Sequence, residues 1–314
     1  MQPTALFQYQ LPLDTPIRFA GQQLSERQGL LLKFEHQGRT AYGDCCPLPG
    51  FSQDSLAQNR DALLAFCKGE LSTEALPAAA RFALDSGRWL ADNTTALIPE
   101  PVPLLAGTPE QMLAQLNALD TPPQRVKLKL ARHPLEQEIT LVHQLLSERP
   151  HLRLRGDANR GWSYEQAATF AASVPTDRFD FVEEPCADLM DSLRLYQQHR
   201  LPIALDETTQ AADYQYQSLP GVVALVLKPT LIGSLAQLQQ LIEQAELDGV
   251  HCILSSSFES NLGLAALAAL ARELTPEQPP GLDTLDATAA DLCQPNLWQR
   301  DRPLIPEAEL ERLF

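Results

Sequence analysis

Asp157, Glu183, Asp206 and Lys228 stand 26, 23 and 22 residues apart in a chain of 314 residues. Each closes a short apolar run: LRLRGD (152–157), FDFVEE (179–184), PIALDE (202–207) and VVALVLK (222–228). Carboxylates that converge with no His or Cys beside them suit a hard cation such as Mg²⁺. A cation held that way can bind a substrate carboxylate and stabilise the enediolate left when an α-proton departs. A lysine beside that cation has its ammonium form disfavoured and can act as a base. Lys228 is one candidate, and Lys127 and Lys129 of RVKLKL are the others. Side chains two apart on a strand share a face, so Lys127 and Lys129 point the same way. Val126, Leu128 and Leu130 then form an apolar opposite face.

Each residue also has a plainer reading. One acid at a strand end is a common helix cap. The paired lysines could belong to a solvated edge strand, and Lys228 could extend to the rim along its own stem. What favours chemistry is the coincidence of acids at successive strand ends with lysines on both sides. Whether Glu183 or Glu184 faces inward stays open, since only one of two consecutive strand residues can. Ser255, Ser256, Ser257 and Ser260 precede NLGLAALAAL and offer hydroxyls and N–H groups to an anion, although ordinary capping accounts for them as well. No G-x-S-x-G pattern is present and no histidine stands out as a triad partner.

A step of about 25 residues suits one strand plus one helix, and eight such units close a (β/α) barrel of roughly 200–250 residues with its site at the strand C-termini. The pattern predicts strands at 102–105, 125–130, 152–157, 179–184, 202–206, 222–228, 250–255 and 281–283. Helices are predicted between them at 109–118, 135–148, 164–173, 188–199, 210–217, 234–247 and 260–273. The N-terminal part reads differently. Residues 4–12 and 30–44 partly alternate apolar and polar residues, with an HQGR hairpin turn, and 54–69 and 75–92 look helical. This is an α+β layer. The proline-rich TTALIPEPVP (94–103) reads as a domain junction, and the tail ends in a helix-like EAELERLF. The expected division is 1–98, 99–283 and 284–314.

Hydrophobic residues make up 44% and charged residues 20%, a globular composition. The net charge of −16 argues against partners with anionic surfaces, so no nucleic acid and no membrane are expected. No apolar stretch reaches the ~20 residues of a membrane span, and the N-terminus does not read as a signal peptide. Cys45, Cys46, Cys67, Cys186, Cys252 and Cys293 form no C-x-x-C pair and read as reduced thiols of a cytoplasmic protein.

The K-x-K of Lys127–Lys129, DAN of Asp157–Asn159, EEP of Glu183–Pro185, DE of Asp206–Glu207 and KP of Lys228–Pro229 resemble the enolase superfamily, in its muconate-lactonising subgroup. PLPGFSQ (47–53), EEPC (183–186), KPTLIGS (228–234), SSSFES (255–260) and GLDTLD (281–286) are similar, more narrowly, to the o-succinylbenzoate synthase family of menaquinone biosynthesis in its shorter, proteobacterial form. The resemblance implies a modified TIM barrel, (β/α)₇β, with an α+β capping domain joined by the C-terminal tail. It implies one Mg²⁺ on Asp157, Glu183 and Asp206, with Glu183 rather than Glu184 as ligand. The implied reaction is syn dehydration of 2-succinyl-6-hydroxy-2,4-cyclohexadiene-1-carboxylate, a small-molecule carboxylate; a monomer is expected. Lys129 is the implied base and later acid, Lys228 the cation that stabilises the enediolate, and Lys127 a neighbour of the substrate carboxylate. Arg155 and Asn159 match family positions that line the site, Ser255 and Gly281 match positions that contact the succinyl end, and loops near 17–27 and 47–53 are expected to close over the site. Two residues depart from the pattern: Gly156 stands where an apolar residue is expected, and Asp44 where Glu is frequent. Competing readings are an N-acylamino acid racemase or dipeptide epimerase on the same frame, a Schiff-base aldolase using Lys228, and a barrel that only binds.

Overall fold

A computed structural model describes residues 1–19, 22–93, 99–211 and 214–314. The chain forms two compact units, Met1–Glu100 with Lys228–Ile242 and Leu254–Phe314, and Pro101–Leu227 with Glu243–Ile253.

The first unit opens with strands β1 (Ala5–Phe19), β2 (Gln22–His36) and β3 (Arg39–Cys45), paired antiparallel in that order. The HQGR turn is the β2–β3 hairpin, with Gln37 (φ 50°) and Gly38 (φ 76°) both left-handed as a two-residue turn requires. The Leu30–Leu31–Leu32 run breaks simple alternation because both sheet faces are covered. Leu30, Leu32 and Phe34 pack against helices α1 (Leu56–Cys67) and α2 (Ala78–Asp92). On the other face, Leu31 joins Phe7, Tyr9, Leu262 and Leu292.

Strand–helix alternation follows, as expected. The elements are β4 (Leu104–Leu105), α3 (Pro109–Ala118), β5 (Arg125–Lys129), α4 (Leu135–Glu148), β6 (Arg153–Asp157) and α5 (Tyr164–Ser173). Then come β7 (Phe179–Glu183), α6 (Leu189–His199), β8 (Ile203–Leu205), β9 (Val222–Leu227), α7 (Pro229–Ile232), α8 (Leu235–Leu247), β10 (His251–Leu254) and α9 (Asn261–Leu274). Strands β4 to β10 form one seven-stranded sheet in chain order, parallel from β4 to β9. This is the parallel seven-stranded sheet of a modified TIM barrel, and the first unit carries an antiparallel α+β layer.

Four expectations are corrected. The segment 281–283 is no strand but a single parallel bridge, Ser255 to Gly281. Pro279 and Pro280, which have no N–H, keep a longer ladder from forming. Residues 210–217 are not a helix where described, residues 212 and 213 lying outside the described set. The turn Glu207–Gln210 is 3₁₀ instead, held by the Thr209 hydroxyl donating to the carbonyls of Asp206 (2.8 Å) and Val226 (3.2 Å). The tail EAELERLF is a 3₁₀ turn, Glu307–Glu309, and then a strand. After the short parallel pair β11 (Asp291–Leu292) and β12 (Leu304–Ile305), strand β13 (Glu311–Arg312) adds to the free edge of β1. An open edge supplies unpaired backbone groups that outweigh the weak helical pattern of so short a segment. Finally, 17–27 is no open loop: β1 and β2 stay paired to Phe19 and Gln22, with residues 20 and 21 outside the described set. Part of the 94–103 junction, 94–98, also lies outside it.

Candidate active site

Parallel register sets the levels of the site. It pairs Lys127 with Arg155 and Arg155 with Phe181, and one step further along it pairs Lys129 with Asp157 and Asp157 with Glu183. Val126, Leu128 and Leu130 are fully buried on the opposite face, so β5 is no solvated edge strand. Lys127 reaches up one level. Its Nζ lies 2.9 Å from Asp157 Oδ2 and donates to Glu183 Oε2 at 2.6 Å. Lys129 Nζ donates to the same Asp157 Oδ2 at 2.7 Å and to Asn159 Oδ1 at 3.1 Å. Asp206 directly follows β8, is buried, and accepts from Gln210 Nε2 at 2.9 Å.

Electrostatics divides these groups. Burial pushes the Glu183 carboxyl up to about 8, with Lys127 opposing and the charges of Asp157 and Asp206 adding. Burial acts on Asp157 in the same sense, but Lys127 and Lys129 together outweigh it and hold that carboxyl well below its usual range. Lys127 is desolvated too, yet Asp157, Glu183 and Asp206 keep it above the ordinary lysine range.

Glu183 and Glu184 have different partners. Lys127 donates to Glu183, whereas Glu184 is left-handed (φ 39°) and bonds elsewhere. Its Oε1 accepts from the N–H groups of Asp206 (3.1 Å) and Thr208 (2.8 Å), and its Oε2 from Arg160 Nε (3.2 Å). Glu184 thus fixes the turn that carries Asp206, a role not foreseen in the sequence. Asn159, also left-handed, accepts from Lys129 and from Arg132 (2.9 Å) and donates to Glu207 Oε1 (3.1 Å). Arg155 lies one level below Asp157. It is 2% exposed, stacks over the Phe181 ring at 5.2 Å and approaches Asp180 at 3.7 Å. Gly156 is explained by packing, since a Cβ there would meet Leu130 Cδ1 at 2.8 Å and Val182 Cγ2 at 3.1 Å.

Lys228, Ser255 and Gly281 belong to the first unit. Lys228 follows the last residue of β9 and opens α7. Ser255 Oγ donates to the Gly281 carbonyl at 3.2 Å, and Ser256 N–H to the same oxygen at 3.0 Å.

Among the described residues no three acidic, His or Cys side chains form a ready-made cluster for an ion. The cation between Asp157 and Glu183 is the Lys127 ammonium. The donor set still fits a hard divalent cation. It consists of oxygen only, Asp157 Oδ1 is buried without a hydrogen-bond donor, and mutual repulsion among the acids is visible at Glu183. Chemically, the arrangement offers acid oxygens for a metal beside two amines able to move a proton or hold charge.

Comparison with known proteins places this geometry in context. Residues 111–298 match the family model "Enolase C-terminal domain-like", and residues 1–87 match "MenC, N-terminal domain". The chain is 38% identical to an o-succinylbenzoate synthase of Yersinia pseudotuberculosis, covering 97% of this chain and 96% of that protein. Among solved structures it resembles o-succinylbenzoate synthase from Thermosynechococcus elongatus, complexed with Mg in the active site, at a TM-score of 0.71 and 22% identity over 96% of this chain and 95% of that one. It also resembles a dipeptide epimerase from Enterococcus faecalis, at a TM-score of 0.76 and 16% identity over 96% of each chain. These two structural likenesses concern the fold alone.

Proposed function

The chain belongs to the o-succinylbenzoate synthase family of the enolase superfamily, and from that premise we propose how its side chains carry out the family's reaction. The reaction is the dehydration of 2-succinyl-6-hydroxy-2,4-cyclohexadiene-1-carboxylate to o-succinylbenzoate in menaquinone biosynthesis, so the enzyme is a hydro-lyase. Asp157, Glu183 and Asp206 are the proposed ligands of one Mg²⁺, which when bound supplies the positive charge that receives the substrate carboxylate and stabilises the enediolate.

Lys129 is the proposed base. It takes the α-proton onto Nζ, and the electron pair of the broken C–H bond passes into the enediolate. The same ammonium then gives its proton to the departing hydroxyl as the C–O bond breaks, so that water leaves and the ring becomes aromatic. The observation that carries this reading is the placement of Lys129 Nζ between Asp157 Oδ2 (2.7 Å) and Asn159 Oδ1 (3.1 Å). Two acceptors on different residues orient the amine before substrate arrives. Lys127 is proposed to hold positive charge beside the substrate carboxylate, and Lys228 to stabilise the enediolate as a cation. Arg155 contributes charge from beneath, while Ser255 and Gly281 are assigned to the succinyl end. A monomer in the cytoplasm is the proposed state, in keeping with six free cysteines.

The test follows aromatic product with and without Mg²⁺. EDTA-treated protein should be inactive and regain activity on adding Mg²⁺. Asp206→Asn should weaken Mg²⁺ binding and nearly abolish turnover with the fold intact. Lys129→Ala should lose more than the ~10²–10⁴-fold of a single acid–base step, because the base and the later acid go together. Full activity in EDTA would rule out the metal, and normal dehydration by Lys129→Ala would reverse the assignment of the base.

A further inference from the structure

Two motif residues that the reaction leaves unused, Thr230 of KPTLIGS and Glu259 of SSSFES, meet in the interior of the first unit. Thr230 Oγ1 donates to Glu259 Oε1 at 2.6 Å, and the Ser257 N–H donates to Glu259 Oε2 at 2.5 Å. Thr230, Ser257 and Glu259 are each 1% exposed. A carboxylate so deeply buried is retained only where its oxygens and its charge are answered. The two donors answer the oxygens. Burial still raises the Glu259 carboxyl above its ordinary range, so its charge is only partly answered, and the neighbouring Arg27, itself 1% exposed, holds the same segment. Arg27 Nε donates to the Phe258 carbonyl at 3.0 Å, and its terminal nitrogen to the carbonyls of Cys46 (2.9 Å) and Pro47 (3.2 Å). The dipeptide Ser257–Phe258 is thus held at its N–H by Glu259 and at its carbonyl by Arg27.

The other end of the contact is the turn that begins at Lys228. The Lys228 carbonyl accepts from the N–H groups of Leu231 (2.9 Å) and Ile232 (3.2 Å), so its backbone is part of α7. Thr230 lies two residues on, and its hydroxyl is the point where this turn joins the serine segment. Gly233 closes the turn at φ 89°, and a Cβ there would come within 2.8 Å of Ala78 Cα, so α2 fixes the far end. The turn is therefore held at Thr230 and at Gly233, on the side away from the strand.

We propose that Thr230 and Glu259 are positioning residues for Lys228, their hydrogen bond setting where its ammonium stands relative to Ser255–Ser257. This rests on reading Lys228 as the lysine that stabilises the enediolate. That interaction depends steeply on distance, and it develops in the transition state rather than on binding. Loss of the bond should therefore appear in kcat and not in KM.

The experiment compares Thr230→Val, which keeps the shape but removes the donor, with Thr230→Ser, which keeps the donor, and with Glu259→Gln. An amide can still accept from Ser257 and donate to the Thr230 oxygen, so the glutamine variant keeps the geometry. Thr230→Val should lose ~10–100-fold in kcat with KM unchanged within about 3-fold, as a displacement on the order of 1 Å would cause. Thr230→Ser and Glu259→Gln should stay within roughly 10-fold of the parent kcat. Circular dichroism and melting curves confirm folding, and Thr230→Ala replaces the valine variant if that one does not fold. A folded Thr230→Val with the parent kcat, or an equal loss in Thr230→Ser, overturns the proposal. Lys228→Ala, assayed alongside, separates the two levels. If it turns over normally, the reading of Lys228 falls and the proposal with it. If it is inactive while Thr230→Val is not, only the positioning role falls.

Discussion

Lys127 donates to Glu183 at 2.6 Å while standing 2.9 Å from Asp157, so a single ammonium serves two buried acids on neighbouring strands. Those same acids are proposed to share the metal. Lysine and metal therefore compete for one set of oxygens, and removing the lysine should make the protein lean on the metal. Lys127→Met takes the shared counter-charge from two desolvated acids; Asp157 keeps Lys129, so the cost should stay at or below the ~3–5 kcal/mol of a broken buried pair. Its melting temperature in EDTA should fall well below that of the parent, and Mg²⁺ should recover more of the loss than it adds to the parent. Melts in EDTA and in Mg²⁺ measure this directly. An identical Mg²⁺ shift in both proteins would show that Lys127 and the ion do not share these acids.

The same cluster predicts a pH dependence. The Glu183 carboxyl is pushed up to about 8, chiefly by burial. The unfolded chain titrates near the ordinary Glu value of ~4.3. With the folded value above the unfolded one, the folded state binds the proton more tightly. Its contribution to stability is complete below ~4.3 and is lost as pH rises through the folded value of about 8. In EDTA, stability should therefore decline from about pH 4 to about pH 8 and level off above that, and Glu183→Gln should flatten the decline because it carries no proton to lose. Parallel slopes in the two proteins would place the titration elsewhere.

Much of this site was legible because a (β/α) repeat places chemistry at strand ends. Asp157 and the Glu183–Glu184 pair are legible from step length and apolar runs, and Asp206 from its place in the repeat. The different partners of Glu183 and Glu184 are not legible from the residues themselves, because no local pattern announces the left-handed φ at Glu184. Strand β8 is only Ile203–Leu205, too short to carry a period, and Asp206 was visible only through its place in the repeat. The expected eighth strand at 281–283 is limited to one bridge, because the prolines before it have no N–H to extend the ladder. Arg27, Thr230 and Glu259 were illegible for another reason. Their partners lie up to 231 residues away in the chain, and nothing in a single sequence distinguishes a buried charge from a solvated one.

Gly156 tests how tightly the strand that carries the proposed ligand Asp157 is packed. It separates Arg155 from Asp157 and pairs with Leu128 and Val182 on the neighbouring strands. A side chain there would enter space already held by Leu130 and Val182, both fully buried. Gly156→Val should destabilise by ~1–3 kcal/mol, the usual cost of overpacking, and should shift Asp157 with the strand. Weaker Mg²⁺ binding in titration calorimetry, beyond the loss of melting temperature, is the expected signature. Unchanged affinity in a destabilised variant would mean that the strain relaxes toward the helices and leaves the acid in place.

Asp44 gives the last prediction, because the structure gives a reason for Asp at a position where Glu is frequent. Its Oδ1 accepts from the Tyr9 hydroxyl at 2.8 Å, and its Oδ2 from the Ser260 N–H at 2.9 Å and the Ser260 hydroxyl at 2.7 Å. Ser260 is the N-cap of α9, so Asp44 also places a carboxylate at the positive end of that helix. There is little room beyond: a Cβ on Gly263 would lie 2.6 Å from Asp44 Oδ2. Asp44→Glu must push an added methylene into this space and should cost ~1–3 kcal/mol despite keeping the charge. Asp44→Ala makes space but leaves the tyrosine hydroxyl and both Ser260 donors buried and unanswered, at ~1–3 kcal/mol for each. The alanine variant should therefore be the less stable of the two in urea or thermal unfolding. If glutamate matched the parent, the packing at Gly263 would have to be yielding, and the choice of Asp at this position would be left without a steric cause.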